Sequence, residues 1–262
     1  MKRTRLWDLP ERMPPELSAL ATGVPLYDSS CSPDARVYFI DRDGGYFLKS
    51  SAAGTLRAEA EKTRFFFERG LGAEVLAYVT DGDRDFLLTR RVPGEDCTHA
   101  AYLAEPERLC DLMAEALRRL HALPTEGCPA PDYLQRYLAL AEENYRTGNY
   151  DREHFPDSFG YRSAEEAISV LREGRHHLTA DTLIHGDYCL PNIMLDNWMP
   201  SGFIDVGGGG VGDRHIDLFW GAWTLNFNLK TDKFCQRFLD AYGRQNFDPE
   251  MLRVVAALEV FE

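Results

Sequence analysis

The feature that most constrains the fold of this 262-residue chain is a change of pattern near residues 91–94, where Pro and Gly interrupt the sequence. Before this point, short runs of β-forming residues alternate with turns rich in Gly and Asp. After it, apolar residues recur at spacings of three and four, the period of an amphipathic helix. Strands gathered in the first part and helices in the second predict an α+β fold.

Five segments carry the pattern of the first part. Residues 37–40 and 46–49 are rich in β-formers and flank a polar turn, which predicts a hairpin. Residues 56–69 contain helix formers and end at glycines, which predicts one helix. Residues 75–79 and 86–89 are apolar runs around another Asp-Gly turn, and they predict two further strands.

The remainder of the chain predicts helices. A helix begins at Pro106 and carries an apolar stripe, which is typical of a face packed on a core. Further helices are predicted at residues 133–145, 164–171, 216–225, 233–242 and 249–261. Because a single core stops growing near about 250 residues, we expect two lobes. We place them at residues 1–91 and 92–262.

Composition limits the classes of function. The formal charge of −13 is expected to repel nucleic acid and anionic membranes and to attract cationic ligands. The six cysteines lack the spacing of a zinc site, so reduced thiols are expected. The start of the chain lacks the apolar run of a signal peptide, and no segment is apolar for the roughly 20 residues of a membrane span. A cytoplasmic protein is therefore predicted.

One loop carries the residue types that phosphoryl transfer requires. A short apolar strand at residues 182–184 leads into His185-Gly186-Asp187, and Asn192 follows Asp187 by five residues. The same Asp-x-x-x-x-Asn spacing occurs in the catalytic loop of kinases. Asp187 is thus the candidate base, Asn192 a candidate Mg²⁺ ligand, and His185 is expected to brace the loop by hydrogen bonding.

A second carboxylate follows at Asp205, between an apolar strand and a glycine. Residues 193–195 and 201–204 can pair as a hairpin, which would bring Asn192 and Asp205 together. Oxygen ligands from two such positions suit Mg²⁺, which takes few protein ligands and completes its shell with phosphate and water.

The first part of the chain contributes a cation. Lys49 ends an apolar strand, and the helix that follows contains Glu59 and Glu61, of which only one can face Lys49. A strand lysine held by a helical glutamate binds the α- and β-phosphates in kinases. A single Asp, Asn or Lys in a loop is usually a turn former or a solvated charge. The ordered set is much more specific and predicts an ATP-dependent kinase of small molecules.

The motifs resemble those of the aminoglycoside phosphotransferase family, and most closely its 3′-phosphotransferases. The resemblance is carried by residues 185–192, 202–207 and 210–218 and extends to the acidic end at residues 257–262. It implies a two-lobed protein-kinase-like fold, with a small antiparallel-sheet N-terminal lobe and a larger, mainly helical C-terminal lobe.

The resemblance also implies roles for individual residues. Asp187 would be the catalytic base, Asn192 and Asp205 the metal ligands, and Lys49 with Glu61 the phosphate anchor. The residues implied for nucleotide binding are Ser32, in a loop covering the nucleotide, and Arg90 and Val92, whose backbone would hold adenine. The residues implied for substrate binding are Glu153, Asp157, Asn226, Glu259 and Glu262.

The implied activity is transfer of phosphate from ATP, or from GTP, to a hydroxyl of a polycationic aminoglycoside, expected to be the 3′-hydroxyl, with Mg²⁺ as cofactor. Such an enzyme confers antibiotic resistance and is expected to be a monomer or a weak dimer. The sequence departs from the family at Leu190 and Gly208, where an Asp and an Arg are frequent.

Two other hypotheses remain open at this point. One is a kinase of the same fold for another small alcohol, such as a macrolide, choline or an amino sugar. The other is a nucleotide-binding module without turnover, against which the complete set of motif residues argues. A protein kinase is disfavoured because the chain contains neither His-Arg-Asp nor Ala-Pro-Glu.

Overall fold

The computed structural model describes residues 3–8, 12–31, 33, 35–150 and 159–262. The chain divides into two compact units, and each unit is built from two segments. The first unit comprises Met1–Ala100 and Pro191–Gly207. The second unit comprises Ala101–Leu190 and Gly208–Glu262.

The helices and strands of the described residues follow one another in this order: β1 (Thr4–Leu6), α1 (Pro15–Ala21), β2 (Leu26–Asp28), β3 (Arg36–Ile40), β4 (Tyr46–Ala52), α2 (Arg57–Glu68), β5 (Val75–Asp81), β6 (Arg84–Arg90), β7 (Glu95–Asp96), α3 (Ala100–Leu103), α4 (Pro106–His121), α5 (Tyr133–Thr147), α6 (Ala164–Gly174), β8 (Thr182–Ile184), β9 (Ile193–Asp196), β10 (Met199–Phe203), β11 (Gly210–Gly212), α7 (Arg214–Leu229), α8 (Lys233–Tyr242) and α9 (Pro249–Glu259).

The first unit contains an antiparallel sheet with the strand order β1-β2-β3-β4-β6-β5. Side chains alternate between its two faces because successive residues of a strand point in opposite directions. One face packs Ile40, Leu48 and Leu88 against Leu17 of α1 in an apolar core. The other face carries Lys49, which alternation places away from that core.

A second, smaller sheet, with the order β10-β9-β7, also belongs to the first unit. The β9–β10 hairpin turns at Asn197 and Trp198, which both adopt positive φ, at 50° and 66°. Phe203 N–H donates to the Leu71 carbonyl at 2.7 Å, and β7 pairs with β9. The predicted boundary at residue 91 therefore differs from the observed division, because these backbone bonds join segments about a hundred residues apart.

The second unit is mainly helical. Its core includes Leu171, Ile184, Ile216, Val255 and Leu258, contributed by α6, β8, α7 and α9. The α+β organisation predicted from the sequence matches these two units. Within the described residues, no helix combines the length and apolar character that crossing a bilayer requires.

Pattern and local capping explain most element boundaries. The observed α8 coincides with its prediction, whereas α7 begins two residues earlier because the Asp213 carboxylate caps it by accepting from His215 N–H at 2.9 Å. The elements β1, α1, β2, β7, α3 and β11 were not predicted, since runs of two to seven residues carry too little periodicity.

Two glycines with the same backbone angle provide a test of the β7–β9 contact. Gly94 and Gly44 both have φ of 90°, but a Cβ on Gly94 would lie 2.0 Å from the Leu195 carbonyl oxygen, and one on Gly44 would meet nothing within 4 Å. We expect Gly44→Ala to lower the free energy of unfolding by about 1 kcal/mol through backbone strain alone. Gly94→Ala should cost at least about 2 kcal/mol more. Urea denaturation of both variants measures this, and equal losses would contradict the contact.

Candidate active site

The clearest polar cluster of the first unit is centred on Lys49. Its Nζ lies 2.9 and 2.8 Å from the two carboxylate oxygens of Glu59 and 3.0 Å from Asp205 Oδ1. These three side chains come from β4, from α2 and from the segment that follows β10. A cation held between two carboxylates thus ties three separate parts of the first unit together.

The glutamate that faces Lys49 is Glu59, and the prediction of Glu61 was wrong. Glu61 pairs with Arg57 at 3.3 Å one turn earlier, and its side chain is half exposed. Residues two apart point about 200° apart around a helix, so only one of the two can face the sheet. The signal was present in the sequence, because Glu59 lies three residues after Leu56 and four before Thr63, which are both buried.

The charges of the cluster oppose the cost of burying it. Burial alone would favour the neutral amine of Lys49, but the charges of Asp205 and Glu59 outweigh it and raise the pKa of Lys49. Burial also raises the pKa of Glu59, although the Lys49 ammonium opposes this effect. Lys49 is therefore a permanent cation at neutral pH.

Asn192 and Asp205 stand at the same end of the β9–β10 hairpin. Asn192 immediately precedes β9, and its carbonyl accepts from the Ile204 N–H at 3.0 Å, one residue before Asp205. The Asn192 side chain is largely buried, whereas that of Asp205 is 56% exposed. Asp205 has φ of 55°, a left-handed conformation that costs a residue with a side chain about 1 kcal/mol or more.

These two residues fit a Mg²⁺ ion better than a metal that requires an all-protein shell. In the part of the chain that the structure describes, no three His, Cys, Asp or Glu side chains form a metal-binding group. Mg²⁺ needs only one or two protein ligands when phosphate oxygens and water supply the others. A carboxylate and an amide oxygen at the end of a hairpin satisfy that requirement.

In the second unit, a buried carboxylate holds the loop that contains Asp187. Asp217, on α7, is fully buried, and its two oxygens accept from His185 N–H and Gly186 N–H, both at 2.8 Å. His121 Nε2 lies 3.1 Å from the same carboxylate. Asp217 thereby orients the backbone that leads into Asp187. Sequence reasoning gave Asp217 no role, although an acid between Ile216 and Leu218 in an apolar helix is a signal of a buried polar contact.

His185 braces the same loop, as expected. Its side chain is fully buried, and its Nδ1 accepts from the Asp187 N–H at 3.3 Å. Its ring also contacts the Tyr188 ring edge to face, with 6.3 Å between centroids. A histidine enclosed in this way positions the backbone of the loop.

The conformation and packing of this loop require a glycine at residue 186. Its φ is 83°, and a Cβ on it would lie 1.8 Å from the Gly208 carbonyl oxygen. No other residue could adopt both this conformation and this close approach. The packing of one backbone segment against another therefore determines the path of the loop.

The carboxyl-terminal helix contributes an acidic cluster to the second unit. Glu259 is 3% exposed, and its Oε2 accepts from the Tyr137 hydroxyl at 2.6 Å. Among the described residues, Glu259 Oε1 has no hydrogen-bond partner. Burial, followed by the charge of Glu262, raises the pKa of Glu259 well above its ordinary value. Burial and then Asp187 raise the pKa of Glu262.

The remaining predicted residues have more ordinary surroundings. Arg90 ends β6 and pairs with Glu74 at 3.0 Å, and Val92 is buried beside Met194. Asn226 lies exposed near the end of α7. Ser32, Glu153 and Asp157 lie outside the residues that the structure describes.

The buried Glu259 makes stability depend on pH. Its folded pKa lies above the ordinary value of 4.5, so the stability that its protonated form contributes is fully present only below that value. This contribution is lost as the pH rises through the folded pKa. We expect Glu259→Gln to be more stable than the wild type at pH 8, by on the order of 1 kcal/mol, and to flatten the decline of stability with rising pH.

Thermal or urea unfolding between pH 4 and pH 8.5 measures this dependence. Glu250→Gln serves as the control, because Glu250 lies exposed at the start of the same helix. A Glu259→Gln variant with the same pH profile as the wild type would show that the carboxyl is not held in its neutral form.

Comparison with known proteins places this geometry in a family. A family model described as a phosphotransferase enzyme family, APH, matches residues 29–255. The chain is 47% identical to a probable aminoglycoside 3′-phosphotransferase of Lactococcus lactis subsp. lactis (strain IL1403), over 96% of this chain and 95% of the relative. It is 29% identical to an aminoglycoside 3′-phosphotransferase of Niallia circulans, over 79% of each chain.

Solved structures agree with this assignment. The crystal structure of an aminoglycoside 3′-phosphotransferase of type VIII has a TM-score of 0.77 at 27% identity and covers 94% of this chain and 97% of its own. A phosphotransferase of Streptomyces rimosus ATCC10970 in complex with ADP and streptomycin has a TM-score of 0.72 at 25% identity, over 86% of this chain and 90% of that one. The predicted fold class is confirmed, and the chain belongs to the APH phosphotransferase family.

Proposed function

We propose that this protein transfers the γ-phosphoryl group of ATP to a hydroxyl of an aminoglycoside, the 3′-hydroxyl, and thereby confers resistance. The observation that carries the proposal is the Lys49 ammonium held between Glu59 and Asp205, in a chain of the phosphotransferase family. Several relatives are named as aminoglycoside 3′-phosphotransferases, and these names support transfer to the 3′-hydroxyl.

The first unit would bind the nucleotide in the cytoplasm, where ATP is abundant. Lys49 would contact the α- and β-phosphates, and Glu59 would hold its ammonium in place. The Val92 N–H donates to no other described residue, and it would be available to the adenine beside Arg90. The complex of the Streptomyces relative with ADP supports a nucleotide cofactor, with GTP as a possible substitute.

Asn192 and Asp205 would hold Mg²⁺, which neutralises the charge that develops on the phosphates. In the described structure Asp205 contacts Lys49 at 3.0 Å. A bound nucleotide would therefore exchange part of this ion pair for phosphate contacts. Asp205 has a positive φ and directly follows Ile204, whose N–H donates to the Asn192 carbonyl. Its carboxylate therefore lies at the same end of the hairpin as Asn192.

Asp187 would orient the substrate hydroxyl and accept its proton. The oxygen would then form a bond to the γ-phosphorus while the bond to the β–γ bridging oxygen breaks and ADP leaves. Asp217 and His185 support this role, since they hold the backbone on either side of Gly186. A base fixed by buried groups loses little entropy when the substrate binds.

The acidic cluster of the second unit would bind the amino groups of the substrate. Glu259 Oε1 is a buried acceptor without a partner among the described residues, and an ammonium group would supply the missing donor. Glu262 adds a second carboxyl whose pKa is raised by burial and by Asp187. A cationic substrate would return both groups to their ionised forms through charge-assisted hydrogen bonds.

A kinase for another small alcohol is the second candidate. The observation that favours it is Leu190, which is fully buried in the loop position where an acidic residue is frequent in the family. Asn226 is likewise uncharged. Fewer carboxylates would bind a less highly charged substrate.

A substrate panel decides between the two candidates. Purified protein is mixed with ATP, Mg²⁺ and, in separate reactions, kanamycin-type and neomycin-type aminoglycosides, choline and a macrolide, and the release of ADP is followed. We expect turnover with aminoglycosides that carry a 3′-hydroxyl, and NMR locates the phosphate of the product. If no aminoglycoside stimulates ADP release, the proposed substrate class is wrong.

The role of Asp187 is tested by Asp187→Asn. Loss of the base should lower kcat by roughly 10²- to 10⁴-fold. The affinity for ATP, measured by calorimetry in the same variant, should change little, because Asp187 belongs to the loop of the second unit and not to the Lys49 cluster. A variant that retains most of its kcat would refute the assignment of Asp187 as the base.

Glu59 and Glu61 form a matched pair on one helix. Glu59→Gln removes the charge that holds Lys49, and we expect kcat/KM for ATP to fall by at least about tenfold, the loss of a charge-assisted hydrogen bond. Glu61→Gln removes only an exposed pair with Arg57 and should leave kcat/KM within about twofold. Steady-state kinetics with varied ATP measure both, and equal effects would contradict the observed partner of Lys49.

A further inference from the structure

An aromatic row crosses the face of the large sheet that carries Lys49. The register aligns Tyr27 on β2 with Phe39 on β3 and Phe47 on β4. The ring centroids lie 6.1 Å apart between Tyr27 and Phe39 and 5.1 Å apart between Phe39 and Phe47. Phe47 precedes Lys49 by two residues, so both side chains project from the same face of β4.

The row ends at Phe47, close to Arg90, the last residue of β6. Tyr46, next to Phe47, pairs with Arg90, and the Arg91 N–H donates to the Gly45 carbonyl at 3.0 Å. A nucleotide with its phosphates at Lys49 and its base near Val92 would therefore lay the base along this row. Phenyl rings attract flat bases by stacking.

Arg3 covers this row. Its guanidinium carbon lies 3.8 Å from the centroid of the Phe39 ring and 5.6 Å from that of Phe47. Its Nε is buried and has no hydrogen-bond partner among the described residues. Burial, and next the charge of Arg91, lowers the pKa of Arg3, with Glu95 opposing them. The cation thus lies over two ring faces, and its Nε–H makes no hydrogen bond to a described residue.

We propose that Arg3 is an intramolecular competitor of the nucleobase, which occupies the aromatic stacking surface until a purine displaces it. The inference rests on the proposed function, because it assumes that a nucleotide binds to this face. A planar guanidinium and a planar base require the same layer above a phenyl ring, so the two cannot occupy the Phe39 face together. The unpartnered Nε–H makes the covered state easy to open, since water or phosphate would supply the partner that it lacks.

Competition of this kind lowers the apparent affinity in proportion to the fraction of molecules whose surface is uncovered, so a smaller fraction means weaker binding. Removing the guanidinium should therefore tighten nucleotide binding. From the usual strength of a cation–π contact, the dissociation constant of ATP should fall by roughly two- to tenfold in Arg3→Ala. Arg3→Lys keeps a cation that can lie over the same rings and should give an intermediate value.

The experiment is a titration of the full chain with ATP by calorimetry, without an aminoglycoside. Arg5→Ala is the matched control, because Arg5 is an exposed arginine of the same segment that lies over Trp7, at 4.8 Å, and not over the row. The dissociation constant of ATP from the Arg5→Ala variant should equal that from the wild type. A melting curve of each variant checks that the chain remains folded.

The outcomes are distinct. Tighter binding in Arg3→Ala, with no change in Arg5→Ala, supports the inference. Unchanged or weaker binding in Arg3→Ala, when the wild type binds ATP, overturns the inference alone, and weaker binding would mean that Arg3 contacts the base directly. If neither the wild type nor Arg3→Ala binds ATP, the proposed function fails and the inference fails with it.

Discussion

The structure of the first unit depends on the neutralisation of one lysine. Lys49 is largely enclosed, and an enclosed ammonium without carboxylates would be strongly destabilising. Glu59 and Asp205 meet this requirement from two directions, so α2 and the hairpin that ends before Asp205 are both tied to β4. Because an ammonium is suited to phosphate, the interaction that organises the unit would, in the proposed function, also prepare it for a nucleotide.

The second unit is organised around a buried carboxylate, Asp217, which needs hydrogen-bond donors. Asp217 obtains them from two consecutive backbone N–H groups, at His185 and Gly186. A buried acid in this position would be costly without them. The close contact between Gly186 and Gly208 leaves no room for a side chain at residue 186. The conformation of the loop before Asp187 is therefore set by packing in the interior of the unit and does not require a bound substrate.

Glu259 shows the opposite situation, a buried acid that is only partly satisfied. One of its oxygens accepts from Tyr137, the other has no partner among the described residues, and burial followed by the charge of Glu262 raises the pKa of the group. Functional sites often keep such groups at a cost in stability, because a ligand can satisfy them. Arg3 is proposed as a related case, in which a side chain of the protein itself covers an aromatic surface.

The sequence by itself determined the strand-rich first part, the helical remainder and the loop motif at Asp187, because apolar periodicity, Gly and Pro turns and short motif spacings are local properties. The hairpin that joins Asn192 to Asp205 was predictable for the same reason. Only the tertiary structure decided that Glu59 faces Lys49, that Asp217 holds the loop and that residues 191–207 belong to the first unit. Local spacing places Glu59 and Asp217 on buried faces of their helices, but the partner that each one contacts depends on packing between residues from 10 to 156 positions apart.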